Sequence, residues 1–258
     1  MNVFQFNVLR SEWTKLRTQP SAAWSLVTTL AAIIGFGILY SLVRETRPPQ
    51  GPQALASFDP TAISLAGINL AQLAIGVLGV LLISNEYSTG LIRSSFAAVP
   101  SRLPVFTAKA VVMVLTTVVL CVPATVVAFL AGQSILARQN LDIAFAAPGV
   151  LRAVIGSALY LGVVGLLGLG LGALIRNTAG AIGTLVAALL GLQLVVALLP
   201  MSIQNHVYKF LPGPAGLAVT AVRPDADALS PWVGFGVVCG YAAVAAGLAV
   251  YRLRRSDP

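Results

Sequence analysis

Six stretches of 20 to 24 residues contain no Asp, Glu, Lys, Arg or His: Ser21–Val43, Thr61–Ser84, Ala110–Gly132, Val154–Ile175, Ala179–Leu199 and Trp232–Tyr251. At about 1.5 Å of rise per residue, each is long enough as a helix to cross a hydrocarbon layer of roughly 30 Å. A single run can satisfy its own backbone polar groups in lipid only as a helix. The expected fold is therefore all-α, a polytopic membrane protein with residues 1–258 forming one transmembrane domain. Composition agrees. With 57% apolar and 9% charged residues and a mean hydropathy of +0.89, the chain has too little polar surface for a soluble domain, and the runs leave no soluble block of domain size.

The net charge of +8 does not point to nucleic acid, because the basic residues lie scattered at the ends of apolar runs. An even number of spans puts both termini on one side. Taking that side as cytoplasmic gives ten inner Lys/Arg, from Arg10 to Arg255, against six outer ones: Arg44, Arg47, Arg138, Arg152, Lys209 and Arg223. This follows the positive-inside rule. The first run is too long for a signal peptide and no small-residue cleavage pattern follows it, so it reads as an uncleaved span. Ahead of it, Phe6, Leu9, Trp13 and Leu16 recur at helical spacing, with Arg10, Glu12, Lys15 and Arg17 between them. Residues 1–20 thus read as an amphipathic helix at the cytoplasmic interface, with Trp13 as its anchor.

Between the second and third runs, Leu81–Pro104 carries Glu86, Arg93 and Arg102, and Lys109 follows. Ile92, Phe96 and Val99 share one helical face, and Pro100 and Pro104 are expected to stop that helix. The segment reads as a surface helix able to seat on a soluble partner, or as a plain turn between spans. Glu86 reads as a helix-start carboxylate or as a partner contact. On the opposite side, the loop 200–231 is too apolar to stand free. Ile203, Val207 and Phe210 form one face, Pro212-Gly-Pro breaks the chain, and Ala215–Val222 is again apolar, which suggests two short helices dipping into the outer leaflet.

Within the spans, Asn69, Gln72 and Gln193 are either hydrogen-bonding glue between helices or a candidate substrate path. Gly168–Gly172 and Gly236–Gly240 are G-x-x-x-G pairs that let helices pack closely, within or between subunits. Pro123 marks an expected kink. Cys121 and Cys239 lie in apolar runs as small hydrophobes. His206, the single histidine, has no second ligand at chelating spacing, and no metal site is indicated.

The spans hold no ionisable residue with which to read an ion gradient, and the chain has no G-x-x-x-x-G-K-[ST] phosphate loop, G-x-S-x-G or H-E-x-x-H. A transporter built this way draws its energy from another polypeptide, and an enzyme is not expected.

Asn85-Glu-Tyr-Ser-Thr-Gly-Leu-Ile-Arg, then Val99-Pro-Ser-Arg and Lys109, resembles the segment after the second span of ABC-2 type permeases, the membrane subunits of ATP-driven exporters. Ser11-Glu-Trp-Thr-Lys-Leu-Arg-Thr and Tyr208-Lys-Phe-Leu-Pro-Gly-Pro-Ala-Gly look like the single-chain permeases of actinobacteria, and the resemblance covers the whole chain. Leu91 stands where that family often has Thr. The resemblance implies a bacterial cell-membrane permease that pairs with a second permease chain and with separate subunits that bind ATP and Mg. It places Glu86, Gly90 and Arg93 on or beside a coupling helix seated in the ATPase subunit, with Pro100 and Arg102 shaping its exit. The competing expectations are a stand-alone secondary transporter or channel, and a non-transporting membrane scaffold or sensor in antibiotic resistance.

Overall fold

The computed structural model describes the backbone of residues 3–88, 102–223 and 227–255, and the side chains of residues 8–86, 103–223 and 227–255. Among these residues the fold is helical, with no strand. The helices are α1 (Val3–Thr18), α2 (Pro20–Thr46), α3 (Pro52–Ala56), α4 (Pro60–Ser64), α5 (Ile68–Ser88), α6 (Arg102–Leu136), α7 (Val150–Ile175), α8 (Thr178–Ala197), α9 (Met201–Val207), α10 (Pro212–Leu217) and α11 (Pro231–Arg255). Six of them, α2, α5, α6, α7, α8 and α11, are long and apolar enough to span a membrane. The chain is a multi-pass membrane protein.

Burial separates a core from a ring. In the most apolar window of each span, 67% of α7 and 61% of α5 is buried, against 22% of α8 and 28% of α2, α6 and α11. Glycine explains the core. A Cβ on Gly168 would collide with the Gly76 carbonyl oxygen, one on Gly79 with the carbonyl of Gly165, and one on Gly172 would meet Val80 and Ile83. The backbones of α5 and α7 thus lie directly against each other, held by dispersion at close range. The first G-x-x-x-G pair works inside the chain. The second does not, because Gly236 and Gly240 have no neighbour within 4 Å of an added Cβ.

Several expected boundaries move. The second run, read as one helix from Thr61, is two: α4 ends at Ser64 and α5 begins at Ile68. Gly67 lies in the break, where a Cβ would strike the carbonyls of Ala32 and Ile33 in α2. Pro104 does not stop a helix. It stands in the first turn of α6, where the missing N–H would have had no partner. The 35-residue α6 also continues through Pro123. Two residues on, the Thr125 hydroxyl donates to the Val122 carbonyl at 2.9 Å and to Val154 of α7 at 3.1 Å. In α8, Ala187–Gly191 is a π-helical turn, and the Gln193 amide donates to the Leu189 carbonyl there.

Chain direction alternates through the six spans. α1 packs where α5 ends and α6 begins, and the Arg252 guanidinium near the end of α11 donates to the Leu174 carbonyl near the end of α7. Both chain ends therefore share one end of the bundle, the α1 end. The opposite end carries α3, α4, α9 and α10. α9 runs into a 3-10 turn, Tyr208–Phe210, and α10 into another, Ala218–Thr220. The expected pair of short helices broken at Pro212-Gly-Pro is present. Their burial is unequal: Pro212, Gly213, Ala215, Gly216 and Val219 are enclosed, while Ile203, Val207 and Phe210 are exposed.

Candidate functional site: a buried ring of four charges

At the α1 end, three helices bring four charged side chains together. Glu12 and Lys15 come from α1, Glu86 from the last turn of α5 and Lys109 from the start of α6. Lys109 Nζ donates to Glu12 Oε2 at 2.5 Å and to Glu86 Oε1 at 3.0 Å. Lys15 Nζ donates to Glu12 Oε1 at 2.7 Å and to Glu86 Oε1 at 3.0 Å. The four form a closed ring of two acids and two bases with no net charge. Side-chain exposure is 3% for Glu12, 6% for Lys109 and 11% for Glu86, but 42% for Lys15. Three members are thus withdrawn from water, and each depends on the others, since a lone buried ion costs several kcal/mol.

Two expectations change here. Glu86 is not at a helix start. It lies near the C-terminus of α5, where the helix dipole disfavours a carboxylate, and the two ammonium groups offset that cost. The α1 face is also displaced. Val8, Glu12 and Leu16, four residues apart, are buried, while Trp13 is exposed. The polar stripe expected to face water therefore carries the residue on which α1 docks. For Lys15, burial lowers the tendency to hold a proton. The hydrogen bond and charge of Glu12, with the charge and hydrogen bond of Glu86, outweigh it and keep the ammonium above its ordinary value of 10.5.

Because Glu86 and Lys109 touch, the helix ends that flank residues 89–101 lie side by side at the α1 end. Gly90, Arg93 and Pro100 lie outside the described residues, as does the predicted face of Ile92, Phe96 and Val99. Arg102 opens α6, and its side chain is likewise outside.

The three amides do not converge. Asn69 is exposed and donates to the Ala66 carbonyl of its own helix turn. Gln72 is fully buried; its Oε1 accepts the Tyr160 hydroxyl of α7, and its Nε2 donates to the Asn69 carbonyl at 3.0 Å. Gln193 faces the short-helix layer, where its Oε1 accepts from Tyr208 at 3.5 Å and a Cβ on Gly213 would strike its Nε2. His206 is exposed, its Nδ1 2.8 Å from the Ser202 carbonyl.

Asp59 and Gln133 gave no signal in the sequence, because single polar residues beside loops look solvated. Asp59 Oδ1 accepts from the N–H groups of Thr61 and Ala62 at 2.9 and 3.1 Å, capping α4. Its Oδ2 accepts from Val222 and Arg223 at 2.6 and 2.8 Å, more than 160 residues away. Gln133 Nε2 donates to the Pro60 carbonyl at 3.1 Å and to Ser64 Oγ at 2.9 Å, and its Oε1 accepts from the Ile143 N–H at 2.8 Å. These two residues lash the connecting segments to the bundle. No protein-family model matches the chain, and neither does any curated protein.

Proposed function

We propose that this chain is the membrane-spanning permease subunit of an ABC-2 type exporter, non-enzymatic itself and driven by a separate subunit that binds ATP and Mg. The observation that carries the reading is the charge ring. Its members Glu86 and Lys109 flank residues 89–101, the segment whose sequence resembles a coupling helix. A push on that segment would reach α5 and α6 together, because their ends are joined by ion pairs, and α1 would move with them. α5 packs on α7, so a displacement at the α1 end would be delivered to the core of the bundle. Glu86 then acts as part of the lever and not as its contact surface, which leaves Arg93 as the basic candidate for docking. In this reading two such chains face each other, identical or paralogous, in a bacterial cell membrane with both termini in the cytoplasm.

The ring also favours a second reading. Buried ionisable groups at the ends of spans are what a proton-coupled carrier uses, and Glu86 and Lys109 are such groups, with Glu12 of α1 packed against Lys109. One experiment separates the two. The tagged chain is solubilised gently from its native membrane, and the proteins that accompany it are identified. An ATP-binding subunit in about equal amount supports the permease. Its reproducible absence, together with transport by the purified chain in vesicles without ATP, sinks the permease and leaves the carrier.

A further inference from the structure

The end of the bundle opposite α1 contains a cavity of about 740 Å³ between α2, α3 and α4 on one side and α9 and α10 on the other. That volume suits a molecule of moderate size. Arg44, Lys209 and Arg223 stand around it, and its apolar wall includes Phe58, Ile63 and Leu217. Its two described acids are Asp59 and Asp227. The Asp59 carboxylate is already committed to four backbone N–H groups, two on each oxygen, so it has no free acceptor position with which to hold a cation. Arg223 is half committed, donating through Nη1 to the Phe58 carbonyl at 3.1 Å. Arg44 is exposed and forms no ion pair or hydrogen bond among the described residues. Among the described residues Lys209 has only the Phe210 ring, 5.9 Å from its ammonium.

We propose that this cavity binds the phosphate-bearing headgroup of an anionic lipid. Arg44 and Lys209 are its counter-charges, and the Phe58, Ile63 and Leu217 wall lies against the first carbons of its chains. The charges favour an anion, since two uncommitted cations face one described uncommitted acid. The wall favours an amphiphile over a soluble anion. So does position, because the cavity lies at the end of the span α2, which carries exposed Leu39, Tyr40 and Val43, and beside the short helix α9, which carries exposed Ile203 and Val207. A lipid can reach such a place without leaving the bilayer. This inference rests on the membrane-spanning fold and requires no ATPase partner.

The test uses the full chain in nanodiscs of phosphatidylcholine doped with a photoactivatable phosphatidylglycerol or, separately, with a phosphatidylcholine probe carrying the same chains. Labelled peptides are mapped by mass spectrometry. The glycerol probe should label peptides from residues 200–223 and 44–63 about tenfold more than the choline probe, because charge-assisted contacts are available only to the anionic one. R44Q/K209Q should lose that preference, and R44K should keep it. Neither Arg44 nor Lys209 supports the fold through a bond among the described residues, so equal thermal unfolding of the double variant serves as the control. Equal labelling by both probes, or an unchanged preference in R44Q/K209Q, overturns the site. Soluble glycerol phosphate in excess should not displace the lipid probe; displacement overturns the lipid as occupant and assigns the cavity to a soluble phosphate. Because the nanodiscs contain no ATPase, failure here leaves the co-purification result independent.

Discussion

At the residue scale, Lys109 is the position with the most to lose. Its ammonium is buried, and its two contacts are carboxylates from different helices. Lys109→Met should leave Glu12 without its shortest partner and lower stability by about 3 kcal/mol, the scale of a broken buried pair. Thermal unfolding in detergent would show it, and recovery in a Glu12→Gln, Lys109→Met double variant would identify the loss as electrostatic. Lys15 is more exposed and contributes less. Its raised pKa means that its stabilisation is complete below the unfolded value near 10.5 and is lost as pH climbs through the higher folded value. Stability should therefore show no Lys15 contribution to its pH dependence between pH 7 and 9, and a drop there that Lys15→Met abolishes would contradict the ring. Tyr160→Phe should cost about 1 kcal/mol by leaving the Gln72 oxygen unpaired.

At the scale of elements, the glycines of α5, α7 and α11 divide sharply. Gly168→Val should prevent α5 and α7 from closing, giving a poorly extractable protein. Gly240→Val adds its side chain where no neighbour lies within 4 Å, so the folded chain should survive with an unchanged melting profile. Periodicity could not distinguish these pairs, since both have the same spacing. The span count and the Pro212-Gly-Pro break were legible because length and proline act locally. The ring was not, because Glu12 and Lys15 occupy positions that read as a wet face, and their partners are 71 and 97 residues away in sequence. The helix break at Gly67 was hidden for the same reason, since what it accommodates is the backbone of α2.

For the whole molecule, the bundle has two unlike ends: a ring of paired charges at one, and a layer of short helices over a cavity at the other. In the proposed orientation the ring faces the cytoplasm. Single cysteines introduced at Ser11 and Asp227, in a background lacking Cys121 and Cys239, should then react with a membrane-impermeant maleimide only in inverted vesicles and only in intact cells, respectively. Reaction of both from one side would mean an even number of crossings between them, where the six-span topology has five, and would discard that topology. The span count, independent of which side is cytoplasmic, foresaw the grouping at the cavity end of Arg138, ion-paired to Glu45 at 3.2 Å, and of Arg152, which donates to the Ala221 carbonyl at 2.9 Å. It had no means of foreseeing Asp59, whose four bonds are all to main chain.

The ring also sets an order of events during synthesis. α1 leaves the ribosome before the helices it meets, yet Glu12 finds its buried counter-charge only when Lys109 has been made. Until then Glu12 and Lys15 have only each other, and the charged face of α1 must wait at the water boundary, whatever its helical tendency. Seating α1 is thus a report that the first three spanning helices have arrived in the right places. A chain that misplaces α5 or α6 keeps α1 undocked, a mark by which quality-control proteases could recognise it.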